Sequence, residues 1–189
     1  MRIRADYYIN LKSFFIILIT IFFSLLTGLG LYGYGHDFYA SYSQSNITTW
    51  GTWNDKLGFV ISTLTLFNFH IGVYLVSGIL AACTGILLKK FLLKREINSI
   101  YFFIILYLIT LHTWPIIMST SNAMRQGITM SFLFLFLTYY ETKIDKKLLL
   151  FILFSILSHS SGLFFLFIFF NVLFLKKLSI YFKSDLYIR

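Results

Sequence analysis

Long apolar stretches, separated by clusters of basic residues, constrain this chain more than any other feature. The stretches are Ser13–Gly35, Leu57–Leu88, Ile97–Trp114, Ala123–Tyr140 and Leu148–Leu175. A helix of about 20 apolar residues crosses the hydrocarbon core of a bilayer. Inside that core only helices or closed barrels satisfy the backbone N–H and C=O groups. Composition agrees, with 58% hydrophobic and 12% charged residues, against about 25% charged in an ordinary soluble domain. The chain therefore reads as all-α, one polytopic transmembrane helical bundle forming a single domain over residues 1–189. Ser13–Gly35 is too long for a signal-peptide core and lacks a small-x-small cleavage site after it, so it reads as the first span.

The basic residues set the expected topology. Fourteen of the 16 Lys and Arg fall in four groups: Arg2, Arg4 and Lys12; Lys89, Lys90, Lys94 and Arg95; Lys143, Lys146 and Lys147; and Lys176, Lys177, Lys183 and Arg189. The positive-inside rule places all four groups, and with them both termini, on the cytoplasmic side. An even number of crossings then separates consecutive groups. Ser13–Tyr34 goes out, Gly35–Lys56 is an outer loop, Leu57–Phe67 is an interfacial or re-entrant helix and Ile71–Leu88 returns. Ile97–Trp114 goes out, Pro115 ends or kinks it, and Ala123–Tyr140 returns. Leu148–Leu175 is too short for two full crossings. Two short helices meeting near Ser158–Gly162 in a membrane hairpin are consistent with basic groups at both ends; one long tilted helix is the alternative.

Two polar islands interrupt the apolar sequence. The first is Ser121-Asn122-Ala123-Met124-Arg125-Gln126-Gly127 and the second Ser158-His159-Ser160-Ser161. An Arg near the centre of a membrane helix costs roughly 2.5–3.5 kcal/mol on insertion scales, and such residues often mark a pathway or a site. Asn122, Arg125, Gln126 and Thr129 follow helical spacing and are expected to share one face. An Arg at a helix N-terminus suits an anion, because the helix dipole adds to the guanidinium charge, and the guanidinium matches phosphate oxygens bidentately. The alternative is an Arg snorkelling to the outer interface. His159 is expected to share a face with Ser155 and Ser158 and has a pKa suited to acid–base work; the alternative is a His that caps a short helix. His70 and His112 read as residues that satisfy backbone at helix breaks, and His36 and Asp37 as a solvated loop pair.

Several chemistries lack their signatures. The four His and seven acidic residues show no metal-ligand spacing, and no P-loop, nucleophile elbow or dinucleotide fingerprint is present. No metal or cofactor is expected. Cys83 is the single cysteine, so no intrachain disulfide forms. The net charge of +9 would point to nucleic acid in a soluble protein. Here the charges lie at the ends of apolar stretches, which assigns them to orientation and anionic headgroups, with the bilayer as partner and no nucleic acid.

Four motifs in order resemble the EpsG family. They are the outer loop Gly35-His36-Asp37-Phe38-Tyr39, the segment Asp55-Lys56-Leu57-Gly58-Phe59, the helix opening Met124-Arg125-Gln126-Gly127-Ile128, and Leu157-Ser158-His159-Ser160-Ser161. The resemblance runs from about Gly28 to Leu175. The family's Glu-Pro before the apolar helix is replaced here by Asp55-Lys56. Members are commonly nearly twice as long, so the resemblance implies an N-terminal portion or a truncated member.

The resemblance further implies a role like that of Wzy-type polymerases of bacterial exopolysaccharide, capsule and O-antigen. The enzyme would be a glycosyltransferase in the cytoplasmic membrane that joins undecaprenyl-pyrophosphate-linked oligosaccharide repeat units, alongside other polysaccharide-assembly membrane proteins. Arg125, Gln126 and Asn122 would bind the pyrophosphate, and His159 or Asp37 would orient or deprotonate the acceptor. Two other readings accompany this one. A lipid-linked saccharide transporter or flippase component would use the polar stripe as a passage, and a non-catalytic truncated membrane protein would not use it at all.

Overall fold

The computed structural model describes residues 2–39, 56–64, 70–140, 145–171 and 174. They form α1 (Arg2–Gly28), α2 (Lys56–Ser62), α3 (Ile71–Lys94), α4 (Ile100–Leu111), α5 (Trp114–Ser121), α6 (Met124–Tyr139) and α7 (Lys146–Ser158), followed by α8 (Ser161–Asn171). There is no strand among the described residues. Asn10–Gly28 and Ile71–Lys94 are each long and apolar enough to cross a membrane. Helices α4 and α5 together make a third candidate span, bent by 59°.

Packing follows from which face of each helix is apolar and which can be covered. Along α1, Ile16, Ile19 and Phe23 are buried against Leu80 and Ala81 of α3 and Phe103, Tyr107 and Leu111 of α4. The opposite face carries Phe14, Ile17, Leu18, Ile21, Phe22 and Leu25, all exposed. Their spacing of three and four residues makes a continuous apolar stripe. A stripe of that size facing water would be strongly unfavourable, whereas lipid tails are as apolar as the side chains themselves.

Several hydroxyls within the bundle are satisfied by nearby backbone carbonyls, as an apolar surrounding favours. Ser77 donates to the Val73 carbonyl at 2.7 Å, Thr84 to Leu80 at 2.7 Å, Ser131 to Gly127 at 2.8 Å and Thr138 to Phe134 at 2.7 Å. The buried Tyr107 hydroxyl donates to the Ala81 carbonyl at 2.7 Å. With that proton committed, Thr20 Oγ1, 3.1 Å away, donates to the phenol oxygen.

Lysines lock one end of the bundle. Lys12 is fully buried, and its Nζ donates to the Ile97 carbonyl at 2.8 Å. Lys89 donates to Ser13 Oγ at 2.6 Å and Lys90 to the Thr138 carbonyl. These bonds gather the start of α1, the end of α3, the α3–α4 turn and the end of α6 at one basic end. The Lys147 ammonium lies 5.0 Å from the Tyr139 ring centroid, which puts the start of α7 there too. Lys12, Lys89, Lys90 and Lys147, drawn from three of the four basic groups, thus meet at one end; Lys143 and the fourth group lie outside the described residues.

The expected hairpin is present. Phe151 of α7 stacks on Tyr139 with centroids 5.9 Å apart, and Phe169 of α8 meets the adjacent Tyr140 at 5.3 Å and Phe136 at 5.1 Å. In one straight helix residues 151 and 169 would stand about 27 Å apart at 1.5 Å per residue. Both lie beside the end of α6, so α7 leaves the basic end, turns at His159–Ser160, and α8 comes back.

Other expectations need correction. The helical part of the first span ends at Gly28 rather than Tyr34. A turn at Gly30–Gly33, with both glycines at positive φ, carries the chain off the axis. The short helix before α3 ends at Ser62, and residues 65–67 of the expected helix lie outside the described residues. Helix α4 starts at Ile100 and stops at Leu111, three residues before Trp114. The expected effect of Pro115 is present: α4 ends at Leu111, four residues before it, and the chain bends by 59° there, because the proline lacks the N–H for the Leu111 carbonyl and its ring crowds that oxygen. Pro115 itself occupies the first turn of α5.

Candidate functional site

At the end of the bundle opposite the lysines, three segments converge: the loop after α1, the α5–α6 break, and the start of α3. Tyr34 anchors the loop. Its hydroxyl donates to the Gly28 carbonyl at 2.6 Å, and its ring stacks on the buried Phe38 at 4.3 Å. Phe38 in turn meets the ring of His70, which precedes α3, at 5.0 Å. Burial pushes the phenols of Tyr32 and Tyr34 above their ordinary pKa, and the nearby phenols of Tyr74 and Tyr39 add to the shift at Tyr34. Both side chains therefore remain proton donors well above neutral pH. Tyr32 is used that way: His112 Nδ1 donates to the Leu108 carbonyl at 2.8 Å, so its Nε2 accepts from the Tyr32 hydroxyl at 2.8 Å. His112 is a clasp between the loop and the end of α4, in keeping with its expected backbone role.

The loop docks on the α5–α6 break through Asn122. The Asp37 N–H donates to Asn122 Oδ1 at 3.0 Å, and the Gly35 N–H approaches the Ser121 carbonyl at 3.5 Å. Any Cβ at Gly35 would overlap the Asn122 side chain, so glycine is what lets the backbone come this close. A similar constraint holds α5 against α6: a Cβ at Gly127 would run into the Ser119 carbonyl. Asp37 is thereby fixed by its backbone while its carboxylate stays exposed, 3.8 Å from His36 Nδ1.

Asn122 was expected on one helix face with Arg125, Gln126 and Thr129. It lies instead before the helix, as the residue that closes α5, and α6 begins at Met124. Its amide oxygen is occupied by the loop, so its role is to hold Asp37. Arg125 and Gln126, both half-buried, stand in the first turn of α6, where backbone N–H groups lack intrahelical partners and the helix dipole is positive. Thr129, fully buried, donates to the Ser155 carbonyl at 3.2 Å. This bond ties the polar stripe to α7, one turn from His159.

His159 also departs from expectation. It does not share a helix face with Ser155 and Ser158, because its extended backbone lies just past the end of α7. Its Nδ1 accepts the Ser161 N–H at 3.1 Å and pairs with Ser161 Oγ at 2.9 Å. This is the capping geometry that opens α8. With the Nδ1 lone pair engaged, a neutral ring would carry its proton on Nε2. Nearby, Ser155 Oγ is fully buried and has no hydrogen-bond partner among the described residues. Asp55, the acidic residue of the second motif, lies outside the described residues.

The structure thus joins Asp37 to Asn122 directly, and links Arg125 and Gln126 to His159 through Thr129 and Ser155. Sequence reading missed Gly35, Ser121 and Tyr34 as the parts that hold this arrangement. The Gly-Tyr-Gly run at 33–35 was the available signal, since glycines flanking an aromatic mark a close backbone approach. Among the described residues, no group of His, Cys, Asp and Glu could hold a metal ion.

Comparison with family models matches the EpsG family over residues 8–187. The chain belongs to the EpsG family. The match includes the Asp37 loop, the Arg125 helix opening and the His159 turn. Membership implies a Wzy-like polymerase of exopolysaccharide, embedded in a membrane. Neither the curated proteins nor the solved structures include a match.

Proposed function

We propose that this EpsG-family chain extends a polysaccharide at the outer face of the bacterial cytoplasmic membrane, using undecaprenyl-pyrophosphate-linked oligosaccharides as donor and acceptor. An acceptor hydroxyl attacks the anomeric carbon of the donor glycan. A new C–O glycosidic bond forms, the bond from that carbon to the pyrophosphate oxygen breaks, and undecaprenyl pyrophosphate leaves. The acceptor loses its proton to a base. The reaction needs a cation where negative charge develops on the leaving pyrophosphate, and a carboxylate or imidazole at the acceptor.

The observation that carries this reading is the docking of the Asp37 N–H on Asn122, at the break that opens the Arg125 helix. It holds a carboxylate-bearing loop against a helix start equipped to receive an anion. Arg125 and Gln126 bind the pyrophosphate, Asn122 positions Asp37, and Asp37 takes the acceptor proton. The ring of His159, a donor at Nε2, orients the sugar. The lysine-rich end faces the cytoplasm, so both termini are cytoplasmic and the site faces out. Other polysaccharide-assembly membrane proteins deliver the repeat units.

The test is reconstitution of the purified chain in liposomes with the lipid-linked repeat unit. A polymerase releases one undecaprenyl pyrophosphate for every bond formed, and Arg125→Lys lowers the rate by about 10²-fold, the scale for losing one preorganised stabiliser of transition-state charge. Movement of the lipid-linked repeat between leaflets without bond formation would contradict the proposal.

A further inference from the structure

Ser77, Thr84, Ser131 and Thr138 each donate to the carbonyl four residues back in their own helix. Thr129, fully buried in α6, departs from that pattern. Its Oγ1 reaches across to α7 and donates to the Ser155 carbonyl at 3.2 Å. The same oxygen accepts the His159 N–H at 3.3 Å. A carbonyl oxygen has two lone pairs, so one atom carries both the contact to α6 and the backbone bond that ends α7 at His159. The first turn of α8 presses on the same residue. A Cβ at Gly162 would come within 2.9 Å of the Ser155 carbonyl oxygen and 2.8 Å of its Oγ, so glycine is what lets α8 close on Ser155.

Arg125 and His159 each stand one turn from this contact. Thr129 follows Arg125 by four residues, on the same face of α6 and about 6 Å further along its axis. His159 follows Ser155 by four. The helix that carries the arginine and the turn that carries the histidine are therefore set against each other at the Thr129–Ser155 bond. A tertiary bond matters here because His159 lies past the end of α7 in extended backbone, where no helical ladder continues to hold it. We propose that Thr129 is a positioning residue for polymerisation: its hydroxyl, acting through the Ser155 carbonyl, fixes the His159 turn relative to the Arg125 turn. This rests on the reading above and adds what sets the spacing between the pyrophosphate and the sugar.

The test uses the full chain reconstituted in liposomes with the lipid-linked repeat unit. Thr129→Val keeps the branched shape and removes the donor. It should lower kcat by up to about 10²-fold, the scale of a misplacement of about 1 Å. KM for the lipid-linked donor should stay near the parent value, because the Arg125 turn is untouched. Thr129→Ser keeps the donor and should recover most of the lost kcat. Adding Thr129→Val to His159→Asn should cost nothing further, since residues that act as a unit are not additive. Ser155→Ala deletes only a hydroxyl that has no partner among the described residues, keeps the carbonyl, and should turn over like the parent. A measurement that does not depend on turnover is the distance between spin labels at Leu137→Cys on α6 and Leu163→Cys on α8, both exposed, in a Cys83→Ala background. Thr129→Val should broaden that distance distribution and Thr129→Ser should not; Thr129→Ala is a second donorless variant, and gel filtration confirms that each is folded.

Parent kcat in Thr129→Val, equal slowing in Thr129→Ser or Ser155→Ala, or an unchanged distance distribution would overturn the positioning role and leave the proposed function standing. Multiplied losses in the double variant would show that Thr129 acts independently of His159, and would overturn it too. A parent chain that forms no glycosidic bond would overturn the reading on which the role rests, and the role with it.

Discussion

Asn122 illustrates how one contact reassigns a residue. Its spacing with Arg125 is right for a shared helix face, yet its amide oxygen accepts the Asp37 N–H across 85 residues of sequence. Asn122→Ala should remove that acceptor, cost about 1 kcal/mol of stability, and lower polymerisation by freeing the loop. Asn122→Asp keeps an acceptor and should retain more activity; equal losses in the two would indicate that the loop contact is irrelevant. His159 separates two roles in the same way. His159→Asn retains a side-chain acceptor able to cap α8 but lacks the imidazole donor. It should restore the protein level seen with the parent and still polymerise poorly. Full activity in His159→Asn would reduce the residue to a cap. None of these bonds was legible in the sequence, because periodicity reports neighbours on one helix and is silent about a partner from a distant loop. Lys12 shows the same limit: it reads as a surface charge marking orientation, but is buried as the donor to Ile97.

At the scale of elements, helix existence was readable and helix ends were not. The apolar run at 97–121 contains one strong breaker, Pro115, and the sequence places the break there. The chain breaks just before it, at His112–Thr113, as the lost bond to the Leu111 carbonyl requires, and His112 fastens the break by bonding the Leu108 carbonyl and Tyr32. Pro115 sits where proline belongs, in a first turn. Pro115→Ala, which restores the N–H and removes the ring, should let α4 and α5 relax toward one helix and lower membrane protein level or polymer yield; parent values of both would show that the break does not depend on the proline. The α7–α8 hairpin was favoured in the sequence by two facts, a stretch too short for two full crossings and lysines at both ends, while one long tilted helix stayed open as the alternative. In a Cys83→Ala background, Tyr139→Cys with Phe151→Cys and Tyr140→Cys with Phe169→Cys should each cross-link with a short bis-maleimide. Linkage of the first pair alone would match a single long helix.

For the whole molecule, membrane character followed from the sequence because bilayer thickness sets helix length and charge sets helix ends. Those are global constraints that need no contact map. The two ends of the bundle divide the work: lysines with backbone carbonyls as partners lock one, and the other carries Asp37, Arg125 and His159 around helix breaks. The breaks after α1, between α5 and α6 and between α7 and α8 interrupt an otherwise apolar bundle with polar residues. A cysteine in place of the exposed His36 should react with an impermeant maleimide from outside the cell, and one in place of the exposed Asn98 only after permeabilisation; the reverse pattern would invert the proposed orientation.

The central claim is that the Arg125 end of this bundle polymerises lipid-linked glycan. The most direct test is complementation of a polymerase-deleted strain with this chain and with Arg125→Ala, scoring glycan length on a gel at matched protein levels. The account predicts a long ladder from the parent and single repeat units from the variant. A ladder of full length from Arg125→Ala would contradict it.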